Sequence, residues 1–167
     1  MFIQFWMVQR LTREIHDLRK KSSDLQVRLT QYQNYANKLG QSSVLGADRL
    51  AALSPDLVSR GALFSQFAEQ NSSMMASNHL MNMKACGLVP QGFTPQQQYQ
   101  IEFSAYNQFK EQARKALKQQ EIAKLNEIEK EIQLEQNEIE AQINMKQGML
   151  DSHKKGLKDD IDKAFKS

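Results

Sequence analysis

The amino-acid sequence predicts an all-α protein, a long antiparallel coiled-coil hairpin that carries a small helical head. Apolar residues repeat at alternating steps of four and three from Leu11 to Leu39, and no proline follows Pro95. The composition is rich in Gln, Glu, Lys, Leu and Ala, with seven Gly and three Pro in 167 residues, which favours long helices. We divide the chain into an N-terminal coiled-coil helix (1–40), a low-charge head rich in Met and Phe (41–93) and a long C-terminal helix (94–167).

The first helix is predicted over about residues 4 to 39. Its apolar seam ends at Gly40, a residue type that commonly ends helices. The four-three spacing is typical of a coiled coil and therefore requires a partner helix. The seam consists of Leu11, Ile15, Leu18, Ser22, Leu25, Leu29, Tyr32, Ala36 and Leu39.

The middle segment is predicted to form a helical head. Ser54 is a good N-cap and Pro55 suits the first helical position, whereas residues 89–92 (VPQG) break the helix. Read in heptads, the segment gives a second seam that polar residues interrupt at three positions. The heptad positions are Leu50, Leu53, Leu57, Arg60, Phe64, Phe67, Asn71, Met74, Asn78, Met81, Ala85 and Leu88.

The C-terminal helix is predicted from Pro95 to about residue 165. Thr94 and Gln97 have the spacing of a capping box, with Pro95 at the first helical position. The middle segment is too long to run straight between the two long helices, so we expect it to fold back against the beginning of the last one. The residues expected beneath the head are Ile101, Phe103, Tyr106, Phe109, Ala113 and Leu117.

Opposite charges predict that the first and last helices pair with each other. Residues 1–40 carry seven basic and three acidic groups, whereas residues 121–140 carry seven glutamates and two lysines. In an antiparallel register in which paired residue numbers sum to 157, Lys21 lies near Glu138. The alternative is a parallel dimer in which the first helix pairs with its own copy. The hairpin core pairs are Leu18 with Ile139, Leu25 with Ile132, Leu29 with Ile128, and Tyr32 with Leu125.

Two apolar sets have no partner in this arrangement, and they form the candidate interaction surface. One set lies on the head seam. The other lies at the end of the C-terminal helix, beyond the residues that pair with the start of the first helix. Asparagines on the head seam would fix register or oligomeric state, as a buried Asn does in coiled coils. The candidate residues are Phe64, Phe67, Asn71, Met74, Asn78, Met81, Leu157, Ile161 and Phe165.

The sequence contains no catalytic, metal-binding or cofactor-binding pattern, so we expect neither an enzyme nor a cofactor or small-molecule substrate. His16, His79 and His153 are far apart, and there is no Gly-rich phosphate loop or nucleophile motif. The single cysteine, Cys86, excludes an intramolecular disulfide. Nucleic-acid binding is disfavoured because the basic cluster at residues 19–21 lies within the seam rather than before it.

These observations predict a non-enzymatic structural or assembly protein that forms a homo-oligomer or binds another helical protein. In its architecture, the pairing of an N-terminal with a C-terminal helix resembles the subunits of secretion-machine needles and filaments. The alternatives are an adaptor or chaperone-like protein with a hydrophobic helical groove, and a membrane-associating protein that uses the head or Phe2, Phe5 and Trp6. Since no cleavable signal is visible, we expect a cytoplasmic location or export by a signal-peptide-independent machine, with Met1 or Met7 as the start.

Overall fold

The computed structural model describes residues 2–41 and 52–166. Three helices, α1 (Phe2–Gln41), α2 (Pro55–Ala85) and α3 (Pro95–Lys166), make up nearly all of these residues, which contain no strand. Helix α1 packs against α3, which confirms the predicted all-α hairpin. The described residues fall into two compact units: unit 1 contains those up to 30 and from 128 onward, and unit 2 those from 31 to 127. Met1 and Leu50 lie outside the described residues.

The core of unit 1 is the antiparallel seam between α1 and α3. Leu11 and Ile15 form a buried cluster with Leu150, and Val8 and Ile143 pack against it. Of the residues predicted for the hairpin core, Leu18 and Ile128 are half-buried, and four are buried: Leu25, Leu29, Ile132 and Ile139.

Ion pairs across unit 1 join α1 to α3. Lys21 Nζ lies 2.9 Å from Glu135 Oε1, and Lys146 Nζ donates a 2.6 Å hydrogen bond to Glu14 Oε2. The predicted pairing of Lys21 with Glu138 is wrong, because Glu135 lies one turn earlier on the same side of α3 and the lysine reaches it instead. The hydrogen bond from Lys146 is the main reason why the pKa of the Glu14 carboxyl is lowered.

The core of unit 2 lies where the end of α1, the start of α2 and the middle of α3 meet. Tyr35 and Leu39 are buried there with Leu125, while Tyr32 packs against them and is only half-buried. The prediction left Tyr35 outside the seam. It is buried because Leu53 and Leu57 cover α1 from a second direction, so α1 has a wider buried face in unit 2.

Pro55 and Gly87 set the two ends of α2. Pro55 occupies the first turn, where its fixed φ suits the helix and its missing N–H costs nothing. At the other end, Gly87 has a φ of +67°, a left-handed conformation that strains other residues. Its N–H donates to the Lys84 carbonyl at 3.1 Å, and the Leu88 N–H donates to the Met83 carbonyl at 2.9 Å. This pair of bonds is a Schellman motif, which satisfies the last carbonyls of α2.

Helix α3 begins at the predicted cap. The Gln97 N–H donates to Thr94 Oγ1 at 3.2 Å, and Gln97 Oε1 accepts a 3.0 Å hydrogen bond from the Phe93 N–H. Both bonds satisfy donors that have no partner inside the helix. The start of α3 is therefore fixed by its own sequence.

Candidate interaction surfaces

Helices α2 and α3 pair side by side and antiparallel within unit 2. Glu69, on α2, pairs with both Lys110, at 2.5 Å, and Arg114 of α3. Nearer the end of α2, Lys84 Nζ lies 3.0 Å from Glu102 Oε1. These charges hold one face of α2 toward α3.

Small side chains form that buried face of α2. Gly61, Ser72 and Ala76 are buried, and Ser65 and Ala68 are half-buried on the same side. Small residues at an interface allow two helices to approach closely. The close contact with α3 is thus made by small residues, and Phe67, Met74 and Met81 of the predicted head seam are exposed.

The large apolar residues of α2 lie opposite its buried face. Their exposed fractions are 68% for Leu63, 51% for Phe67, 57% for Met74 and 65% for Met81. With Gln70 and Ser77 they occupy positions 63, 67, 70, 74, 77 and 81, which alternate steps of four and three. We call these six positions the α2 seam. The prediction left Leu63 out, although this frame has the same spacing as the seam of the first helix.

The other residues predicted on the head lie beside the α2 seam or beneath it. Phe64 is half-buried and packs against the core of unit 2. Asn71 is half-buried, and its side-chain amide donates a 2.9 Å hydrogen bond to the Phe67 carbonyl of its own helix. Asn78 is exposed. Of the two asparagines, Asn78 is thus the one whose side chain faces solvent. Phe103, predicted beneath the head, is 52% exposed and stacks on Tyr99 instead.

An open apolar groove of about 640 Å³ borders the α2 seam within unit 2. Charged groups also line it, and two of them are paired: Arg60 Nε donates a 2.6 Å hydrogen bond to Glu121 Oε1. Asp56 and Lys124 add one charge of each sign. The apolar lining of the groove consists of Tyr32, Leu57, Leu63, Phe64, Phe67 and Leu117.

The Arg60–Glu121 pair lies close to a buried tyrosine. The hydrogen bond to Glu121 raises the pKa of the Arg60 guanidinium. Tyr35 is fully buried, and its hydroxyl makes no hydrogen bond to any residue that the structure describes. Burial, and secondly the negative charge of Glu121, raise the pKa of this hydroxyl well above its usual value of 10.0. Tyr35 thus stays neutral near neutral pH.

The remaining predicted surface residues lie in unit 1, at the end of α3. Leu157 is half-buried, whereas Ile161 is exposed and Phe165 is 87% exposed. Gln4 of α1 lies beside Gly156 of α3, one residue before Leu157. At the start of α1, a set of large apolar side chains is also exposed: Phe2, Ile3, Phe5 and Trp6.

Within residues 2–41 and 52–166, no cluster of His, Cys, Asp and Glu has the arrangement of a metal site. Cys86 is exposed and is not part of a disulfide. None of the described helices has an apolar stretch long enough to cross a bilayer. The features that distinguish this part of the chain are therefore its exposed helical surfaces.

No protein-family model, no curated protein and no solved structure matches this chain. Its function must therefore be inferred from the surfaces described above.

Proposed function

We propose that this chain is a non-enzymatic structural protein that self-associates through helical surfaces, as a subunit of a filament or a secretion-type apparatus. The observation that carries this proposal is the α2 seam. A four-three repeat on an exposed helix face is the pattern of a coiled-coil interface, and four of the six positions of the α2 seam are large apolar residues. Contiguous apolar patches of this kind usually mark interaction sites.

Burial energetics supports association through the α2 seam. Each large side chain on it is more than half exposed, so covering it would contribute about 1 to 2 kcal/mol. The seam has charged residues at none of its six positions, so its burial would not leave an unpaired charge. A second α2 offers the matching pattern, with Gln70 and Ser77 as the polar positions that set the register.

The test replaces the centre of the α2 seam. We expect Phe67→Ser combined with Met74→Ser to lower the mass seen by multi-angle light scattering and to raise the concentration at which the protein associates at least tenfold. Met75→Ser is the matched control, because it makes the same chemical change on the next residue, beside the seam. A wild-type protein that stays monomeric at every concentration would refute self-association. The solvent-facing Asn78 gives a second measurement, since Asn78→Leu should change the oligomeric mass.

The groove in unit 2 favours a second candidate, an adaptor or chaperone-like protein that binds another helical protein. Its apolar lining and mixed charges suit an amphipathic helix. Leu57 and Leu117 lie in the groove but outside the α2 seam, so the two roles can be separated. A defined monomer or dimer that captures one partner, and loses it on Leu117→Gln, would favour the adaptor.

The exposed start of α1 is the observation behind a third candidate, association with a membrane surface. Phe2, Phe5 and Trp6 are exposed, and the Arg10 guanidinium lies 5.4 Å from the Trp6 ring centre. Aromatic and basic residues together are typical of helices that lie in the lipid interface. Flotation with phospholipid vesicles tests it, and a protein that stays at the bottom of the gradient would eliminate this role.

A further inference from the structure

The spacing of the α2 seam is the same in both chain directions. Its successive steps are four, three, four, three and four residues. A second α2 that runs in the opposite direction therefore matches all six positions when the paired residue numbers sum to 144. The layers of this antiparallel pair are Leu63 with Met81, Phe67 with Ser77, and Gln70 with Met74, each of them formed twice.

Side-chain size favours the antiparallel pair over a parallel one. In a parallel pair every seam residue meets its own copy, so Phe67 lies against Phe67 and Ser77 against Ser77. The first of these layers is overfilled and the second leaves a gap, and both faults reduce stability. In the antiparallel pair the phenylalanine ring lies against the small serine, and no layer joins two polar residues. The reversed seam of a second copy thus fits the volumes that this seam offers.

The charges of α2 do not oppose a second copy in this register. Neither the six seam positions nor the positions that flank them carry a charge, so no like charges meet along the seam. The next layer outward brings Lys84 of one copy toward Arg60 of the other. Each of these two already has a glutamate partner on its own α3, at 3.0 Å for Lys84 and 2.6 Å for Arg60. The flanking residues are Phe64, Gln66, Asn71, Ser73, Asn78 and Leu80.

The antiparallel register also brings the end of α2 in one copy to the open groove of the other. The residues of α2 that line the groove lie between Asp56 and Phe67, and in this register they pair with residues 77–88 of the second copy. That stretch includes Met81 and Leu88, which are 65% and 63% exposed. A parallel pair would instead bring one groove to the other and leave both open. Only the antiparallel pair thus supplies apolar side chains to the apolar groove.

We infer that two copies of this chain pair through antiparallel α2 helices, with the end of each α2, at Met81 and Leu88, in the groove of the other copy. This inference rests on the proposed self-association and specifies its geometry. Such a contact uses the same surface on both copies and closes on itself, so it produces a two-fold dimer. Growth from this dimer into a filament requires a different surface.

The area of the contact supports the use of both the seam and the grooves. From residue 56 to residue 88 the contact is about 48 Å long, and at a width of about 10 Å it covers roughly 500 Å² per copy. The two copies together bury about 1,000 Å², the lower limit for a specific interface. The six seam positions alone span about 27 Å, so without the grooves the contact would fall well below this limit. Because the seam is uncharged, raising salt from about 0.1 M to about 1 M should not weaken association.

Cysteine crosslinking tests the direction of the pair. In a Cys86→Ser background, a tagged Leu63→Cys chain mixed with an untagged Met81→Cys chain should give disulfide-linked dimers that contain one chain of each kind. Ser77→Cys alone should give none, because the two copies of residue 77 then lie about 15 Å apart along the helices, whereas a parallel pair places them in one layer. Dimers formed by Ser77→Cys alone, or no mixed dimer at concentrations where the parent protein associates, would overturn the inference. Either result would leave the proposed self-association standing, whereas a monomeric parent protein would refute both.

Leu88→Ser tests the occupation of the groove. Leu88 lies outside the six seam positions, yet its loss should raise the dissociation constant of the dimer about tenfold in sedimentation equilibrium, because each dimer loses two buried leucine side chains. Leu134→Ser is the matched control, since Leu134 is 64% exposed on α3 in unit 1 and lies outside the contact. An unchanged dissociation constant for Leu88→Ser, or equal weakening by the two variants, would overturn the inference.

Discussion

Replacing Tyr35 with phenylalanine should stabilise the folded chain, whereas most changes at fully buried positions destabilise it. The Tyr35 ring fills the core of unit 2, but its hydroxyl is buried without a hydrogen bond to any described residue. A buried hydroxyl without a partner costs about 1 to 3 kcal/mol, and Tyr35→Phe removes it while keeping the ring in place. We therefore expect the free energy of unfolding to rise by about 1 kcal/mol at neutral pH, the low end of that range.

The same substitution should change the alkaline behaviour. Because the folded chain raises the pKa of Tyr35, the unfolded chain loses this proton first, at its ordinary pKa of 10.0. Below pH 10.0 the hydroxyl is neutral in both the folded and the unfolded chain. As pH rises above 10.0, the free energy of unfolding therefore falls. At about pH 11 the loss is about 1.4 kcal/mol in the wild type and absent in the variant, so the gap between them widens by this amount.

Urea unfolding followed by circular dichroism, at about pH 8 and about pH 11, measures both effects. Tyr99→Phe is the control, because it removes the hydroxyl of an exposed tyrosine. A Tyr35→Phe variant that is less stable than the wild type at neutral pH would mean that the hydroxyl has a hydrogen-bond partner. An unchanged gap at the higher pH would mean that the folded chain ionises Tyr35 as easily as the unfolded one.

Two further predictions concern packing and charge in unit 2. Ala76 is fully buried on the small face of α2, so Ala76→Leu should lower the free energy of unfolding by about 1 to 3 kcal/mol, whereas Met74→Leu on the exposed side should change it by less than about 0.5 kcal/mol. Equal effects at the two positions would contradict the orientation of α2. Arg60→Met should cost about 3 kcal/mol, since it leaves the buried Glu121 carboxylate unpaired, and adding Glu121→Leu should recover most of the loss. A double variant as unstable as the single one in urea unfolding would contradict this reasoning.

The hairpin could be predicted because its signal is local and repeated. The seam residues from Leu11 to Leu39 all lie on one face of the first helix. The acidic stretch of the last helix identifies the partner of that face. Thr94 and Pro55 likewise mark helix starts that the folded chain uses. These features depend on residues close in sequence, so one sequence is enough to identify them.

The buried face of α2 could not be predicted. The sequence analysis left the face of Phe67 and Met74 without a partner in the chain, but it gave no indication that the small residues Ser72 and Ala76 would be buried instead. The choice depends on how closely α3 approaches and on the ion pairs that Glu69 makes with it, contacts between residues more than 40 positions apart. Tyr35 was missed for a related reason, since its burial requires Leu57 of α2 and Leu53, which lies just before α2.

The outward orientation of the α2 seam has a practical consequence for stability measurements on the separate chain. Dyes such as ANS fluoresce on accessible apolar surface, and their binding usually indicates a molten globule or an unfolding protein. Here the fully folded chain already offers Phe67, Met74 and Met81 to such a dye. Its fluorescence should therefore be high before heating begins and should fall when copies associate, so that the dye reports assembly rather than unfolding.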